Sequence, residues 1–201
     1  MIVIGVTGSV GTGKSTVARL FGERGARVLD ADRIVHELME PGAPVWKRIR
    51  RKFGPDMITA GGRIDRKRLG ERVFASPKRL KELNAIVHPA VRRRIQERLR
   101  QIRREDSSAV VVLDIPLLVE AGPAYRTDAL VVASASASVA ERRLKRRSGW
   151  SAAEFRRRRS FQLPLKLKER RADFVVNNGG SLRETRRQVS FIWKKIVKER
   201  D

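Results

Sequence analysis

Gly8-Ser9-Val10-Gly11-Thr12-Gly13-Lys14-Ser15 fits G-x-x-x-x-G-K-[ST] at every fixed position. It lies between a short strand-like run and a helical pattern, which is the context in which that motif carries meaning. The glycines let the backbone wrap with its N–H groups facing inward, and the following helix adds the positive end of its dipole. Such a loop is a preformed cradle for phosphate. Lys14 is placed to reach the β- and γ-phosphates of a nucleotide and the Ser15 hydroxyl to ligate Mg²⁺, with Gly11, Thr12, Gly13 and Thr16 completing the nucleotide contact. A Rossmann dinucleotide loop is a poorer match, because Thr16 stands where its third glycine belongs.

The loop names the nucleotide and leaves the acceptor open. A guanine-reading N-K-x-D element is absent, which argues against a GTPase. Asp114 ends the apolar run Ala109-Val110-Val111-Val112-Leu113, the position of a carboxylate that holds Mg²⁺ directly or through water; a turn or cap aspartate has the same spacing. Asp32 follows Val28-Leu29, on the carboxyl edge where α/β sheets bind ligands. It is suited either to accepting a proton from an acceptor hydroxyl or to capping a helix that starts near Arg33. His36 and His88 are not spaced as a metal pair; His36 reads as a helix-face residue, and His88-Pro89 as a substrate contact or a turn. Four consecutive arginines, Arg156 to Arg159, point all round a helix. They form either a solvated face or a lid that brings guanidinium groups onto the transferring phosphate.

The elements that must position these groups can be read from periodicity. Ile2 to Thr7 is a β-branched run buried on both faces, as in a parallel sheet. Val17, Leu20 and Phe21 follow at helical spacing, with Gly25 at the end. Val28-Leu29, Ala109 to Leu113, Leu130 to Ala133 and Phe174 to Val176 supply further strands. From Ile34 to Arg104 the pattern is basic, amphipathic and helical, with Asp65 and Ser76 as N-caps and Pro77 and Pro89 as first-turn residues. Val189, Ile192, Trp193, Ile196 and Val197 mark a closing helix. Strands alternating with helices imply an α/β fold with a parallel sheet flanked by helices.

Composition narrows the class. The 201 residues include no cysteine, which excludes a disulfide scaffold, thiolate zinc and a cysteine nucleophile and fits a reducing, cytoplasmic setting. No apolar run approaches the ~18 residues of a membrane span. With 46 Lys+Arg against 22 Asp+Glu the net charge is +24, a field that draws polyanions, whether nucleic acid or phosphorylated small molecules. Aromatics are 5% of the chain, too few for an evident base-stacking platform.

Taken together, the motifs resemble the dephospho-CoA kinase family from about Ile4 to Leu182. The resemblance is carried by G-V-T-G-S-V-G-T-G-K-S-T (Gly5 to Thr16), L-D-A-D-R-I-V-H-E-L (Leu29 to Leu38), I-D-R (Ile64 to Arg66), I-V-H-P-A-V (Ile86 to Val91) and D-I-P-L-L-V-E (Asp114 to Glu120). Arg143 through Arg147, and Q-L-P-L-K-L-K (Gln162 to Lys168) followed by Ala172-Asp173, complete it. It implies a P-loop kinase core (1–32, 105–146 and 172–201), a helical CoA-binding insertion (33–104) and a helical lid (147–171). The implied reaction moves the γ-phosphate of ATP, with Mg²⁺, to the ribose 3′-hydroxyl of dephospho-CoA. Asp32 is then the candidate base, with Lys14 and Arg147 catalytic and Arg143 facing the nucleotide. His36, Arg66, His88 and Leu117 belong to the acceptor pocket, and Ser15 and Asp114 to the metal. The resemblance further implies a monomer or weak homo-oligomer with no specific nucleic-acid partner and no membrane. The alternatives are another small-molecule kinase of the nucleoside-monophosphate type and a nucleic-acid-binding P-loop ATPase. Three positions depart from the family pattern: Val119 replaces a phenylalanine, Asn177 an aspartate, and Ser148 an acidic residue or asparagine.

Overall fold

Ile2, Ile4 and Val6 have no polar atom to offer solvent, and the first strand, β1 (Ile2–Gly8), is buried along its whole length. It sits at the centre of a five-stranded sheet. The computed structural model describes residues 1–198; positions 199–201, the end of the expected core range 172–201, lie outside the described residues. The other strands are β2 (Arg27–Asp30), β3 (Val110–Asp114), β4 (Ala129–Ser134) and β5 (Phe174–Asn177), in the order β2-β3-β1-β4-β5. Every pairing is parallel. A parallel sheet must be covered on its faces, and the apolar helical stripes serve this purpose. Val17, Leu20 and Phe21 of α1 (Lys14–Gly22) are buried in one cluster with Val189, Ile192 and Ile196, from the helix that closes the chain. Phe21 and Trp193 meet with ring centroids 6.5 Å apart. The first helix ends at Gly22 rather than running to Gly25, which takes φ +102° in the turn before β2.

The chain divides into two compact units, one built from Met1–Asp30 and the chain from Gln101 onward, the other from Ala31–Arg100. The second is helical: α2 (Ala31–Leu38), α3 (Pro44–Phe53), α4 (Arg66–Phe74) and α5 (Pro77–Glu105), whose far end reaches past the division. Ile34, Ile49, Met57 and Ile95 are its fully buried side chains. Asp65 caps α4 by accepting from the Arg68 N–H at 3.0 Å. Arg98 of α5 holds Glu37 of α2 at 2.6 Å. Pro89 does not start a helix; it lies inside α5, which runs on through it. Proline removes one backbone donor and crowds the preceding turn, but Val87, Val91 and Ile95 on the buried face hold the helix on both sides of it.

The first unit continues with α6 (Ala137–Ser148), α7 (Ala152–Arg159), α8 (Leu165–Glu169) and the closing helix α9 (Leu182–Lys198). Among the described residues no helix is long and apolar enough to cross a membrane.

Candidate active site

The phosphate loop connects β1 to α1 at the carboxyl edge of the sheet. Ser9 O accepts from both the N–H and the hydroxyl of Thr12, at 3.2 and 2.8 Å, which closes the loop on itself. Gly11 and Gly13 both take φ +82°, a region that side chains rarely enter. Space dictates glycine as well. A Cβ on Gly11 would lie 2.8 Å from the Ala140 carbonyl of α6, and one on Gly13 would run into the Asn178 amide. The loop is therefore wedged between α6 and the turn after β5.

Lys14 and Asp114 form an ion pair at 2.9 Å, with the carboxylate almost completely buried. Ser15 hydrogen-bonds to the same carboxylate, and burial raises the Asp114 carboxyl above its ordinary range despite the pull of Lys14 and Ser15. Asp30 adds to the rise; it pairs in register with Asp114 across β2 and β3. Asp30 and Asp114 line, with Ser15, Arg19, Glu23 and Val28, an open cavity of about 460 Å³. Three of the expected residues, Lys14, Ser15 and Asp114, thus converge. Asp114 ends a strand inside the site and is not a helix cap.

The raised Asp114 value has a measurable consequence. A carboxyl that titrates higher in the folded state than in the unfolded state favours folding at low pH and costs stability as pH rises through its folded value. Asp114→Asn should therefore leave the melting temperature at pH 7 at or above the parent's, while the metal role expected for this strand-end carboxylate predicts that Mg²⁺-dependent turnover falls by ~10²-fold. A Tm scan with turnover against Mg²⁺ concentration checks both halves.

Arg143, half-buried on α6, donates from Nη2 to Asn178 O at 2.7 Å, in the turn that packs on the loop. Thr16 lies in the first turn of α1, its N–H bonded to Gly13 O at 2.9 Å. Arg147 lies in the last turn of α6, exposed; among the described residues no hydrogen bond or ion pair joins it to the loop. Leu117 is half-buried in the turn after β3. In the helical unit, Arg66 Nη1 donates to His36 Nε2. Burial lowers the Arg66 guanidinium while the carboxylates of Glu40 and Asp32 raise it, which gathers Asp32, His36 and Arg66 in one neighbourhood. Asp32 sits within the first turn of α2, not ahead of it, so it is not the helix cap that spacing allowed. His88 lies on α5 and not in a turn; desolvation lowers its imidazole below the ordinary value.

The 147–171 stretch, basic though it is, carries apolar anchors. Phe155 is 3% exposed and packs with Ala140 and Leu144, with Val10 of the loop and Trp150 against them. Arg158 stacks on Trp150 at 4.3 Å and bonds Glu154 at 2.5 Å. Gln162 Oε1 accepts from the Val10 N–H at 2.9 Å. Lys168 is fully buried, paired with Glu120 at 2.8 Å and donating to Pro116 O at 3.1 Å, while Glu120 also accepts from the Leu163 N–H. Gln162, Glu120 and Lys168 stand inside motifs quoted from the sequence, yet no role was attached to them; only burial shows what they hold. Lys168→Met should destabilise the protein by about 2 kcal/mol, because the partly buried Glu120 loses its cation and Pro116 O its donor, and Glu120→Gln added to it should recover part of the loss. Urea unfolding of the single and double variants checks this.

The family model for dephospho-CoA kinase matches residues 2–184. A dephospho-CoA kinase of Symbiobacterium thermophilum is 47% identical over 194 residues, spanning 96% of this chain and 81% of the relative. One from Leifsonia xyli subsp. xyli is 44% identical over 193 residues, spanning 96% and 98%. Among solved structures, TT1252 from Thermus thermophilus superposes with TM-score 0.79 at 37% identity over 96% of this chain and 97% of that one. Shikimate kinase from Acinetobacter baumannii superposes with TM-score 0.55 at 17% identity over 99% and 94%, a likeness of fold.

Proposed function

The chain belongs to the dephospho-CoA kinase family, kinases that act with ATP, and we propose that it carries the γ-phosphate of ATP to the ribose 3′-hydroxyl of dephospho-CoA through the residues assembled above. The observation that carries this reading is the convergence of Lys14 and Ser15 on Asp114 at the end of β3. Loop N–H groups and the start of α1 receive the β-phosphate. Lys14 exchanges its bond to Asp114 for one to the β- and γ-phosphates, where it offsets charge as the bond to the leaving oxygen stretches. Arg143, fixed beside Gly13, supplies a second cation on the nucleotide side.

The Ser15 hydroxyl and the Asp114 carboxylate are adjacent hard oxygen donors, and they fit Mg²⁺, which takes one or two carboxylates and keeps several waters. Held there, Mg²⁺ would neutralise charge on the phosphates. On the acceptor side we assign Asp32, His36, Arg66 and His88 of the helical unit to recognition of dephospho-CoA, and Leu117 as a further residue for the same substrate. The 3′-oxygen attacks the γ-phosphorus, the bond from that phosphorus to the β–γ bridging oxygen breaks, the hydroxyl proton passes to Asp32, and ADP leaves. Arg147 and the stretch to residue 171 are assigned to a lid that excludes water. An ADP-release assay offering dephospho-CoA, adenosine, AMP and single-stranded DNA in parallel tests the acceptor. Saturable release with dephospho-CoA alone is expected; release driven by DNA and lost steeply with salt would overturn the reading.

A further inference from the structure

Asn178 stands in the turn between β5 and α9, and every polar atom it owns is engaged. Its N–H donates to Ser134 O at 2.7 Å, carrying the β4–β5 ladder one residue further. Its Nδ2 donates to Thr12 O at 2.8 Å and lies 3.5 Å from Gly13 O. Its Oδ1 accepts from the Thr185 hydroxyl at 3.0 Å, and its backbone oxygen accepts from Arg143. Asn178 is 5% exposed and Thr185 is fully buried. Further hydrogen bonds close the turn: Asn177 Oδ1 accepts from Gly179 N at 2.9 Å, which an aspartate would do equally, and Ser181 N–H donates to Glu184 at 2.8 Å.

Phosphate is bound by loop N–H groups, so the loop carbonyls must face away. A buried carbonyl turned outward needs a donor there. The Asn178 amide is that donor for Thr12 and reaches toward Gly13, the two residues whose peptide units lead into Lys14. The same residue fixes Arg143, whose Nη1 is buried beside Gly13 with no hydrogen-bond partner among the described residues. We propose that Asn178 is a positioning residue for ATP. It turns the Thr12–Gly13 carbonyls outward and sets Arg143 against the loop, while Thr185 holds its amide in the donating orientation. The inference rests on the kinase reading above for its second substrate only.

The test uses the full chain with four variants: Asn178→Ala, Asn178→Asp, Thr185→Val and the Asn178→Ala/Thr185→Val pair. Isothermal titration gives the ATP affinity, steady-state rates give KM for dephospho-CoA, and melting reports the fold. Asn178→Ala is expected to weaken ATP about tenfold, the scale of one or two lost hydrogen bonds, with KM for dephospho-CoA within about twofold of the parent. Thr185→Val should weaken ATP about threefold, and the pair should be no worse than Asn178→Ala, since Thr185 acts only through the amide. Asn178→Asp keeps the size and the bond from Thr185 but sets an acceptor against Thr12 O, so it should show the same ATP-selective loss and serves if the alanine variant does not fold. Parental ATP affinity in a folded Asn178 variant, or equal weakening of both substrates, overturns the proposal. If the parent itself bound ATP but did not phosphorylate dephospho-CoA, the acceptor reading would fail while the ATP comparison still stood.

Discussion

Lys14→Ala is expected to lower kcat for dephospho-CoA by ~10²- to 10³-fold, the cost of one missing charge contact at a developing oxyanion. The loop should survive, because Thr12, Ser9 and Asn178 hold it without the lysine. Asp114 loses a cation that lowers its carboxyl, so it should titrate higher still in the variant, and Mg²⁺ affinity should fall with it. Single-turnover rates and melting temperature, measured on the same preparation, separate chemistry from folding. Parental turnover in the variant would remove the loop from the mechanism.

Asp32→Asn is expected to lower kcat by ~10² to 10⁴ if the carboxylate takes the acceptor's proton, with the small end favoured because a loose phosphoryl-transfer transition state asks little of a base. Its place within the first turn of α2 adds a smaller effect: a carboxylate there favours the helix by ~0.3 to 1 kcal/mol, which asparagine loses. Stability should therefore drop slightly while the rate drops far. Losing the charge also removes one of the two carboxylates that act on Arg66, so KM for dephospho-CoA should rise. Measuring kcat, KM, ATP affinity and melting temperature together distinguishes the roles. A kcat within about a factor of two of the parent would exclude Asp32 as the base.

What could be read from the chain in advance follows the physics of each signal. The strands β1, β3 and β4 stand out because apolar runs buried along nearly their whole length have no other use, whereas the edge strands β2 and β5 bury one residue each and show only as short apolar pairs; the phosphate loop stands out because its glycines are required one by one. Asp114 was legible as a strand-end carboxylate; its bond to Lys14 was not, since strand order and register decide which side chains meet at the sheet edge. Pro89 misled because proline's preference for first turns is local, whereas the buried stripe on either side of it decides that α5 continues. Asn178 and Lys168 were invisible as functional residues for a shared reason. Each acts by satisfying partners 35 to 166 positions away, Arg143 and Thr12 for Asn178 and Pro116 for Lys168, and nothing in local pattern reports such distant pairs. Phe155 is hidden in the pattern by the four arginines that follow it, although one aromatic among arginines suffices to seat α7 on α6.

The central claim is that the γ-phosphate of ATP moves to one hydroxyl of one acceptor. Incubating the protein with ATP labelled with ¹⁸O in the γ-phosphate and with dephospho-CoA, then locating the label by fragmentation mass spectrometry, tests it most directly. The account predicts CoA labelled in its 3′-phosphate, formed in step with ADP and absent with Lys14→Ala. Label recovered only in free phosphate, or on any other position of the acceptor, would contradict it.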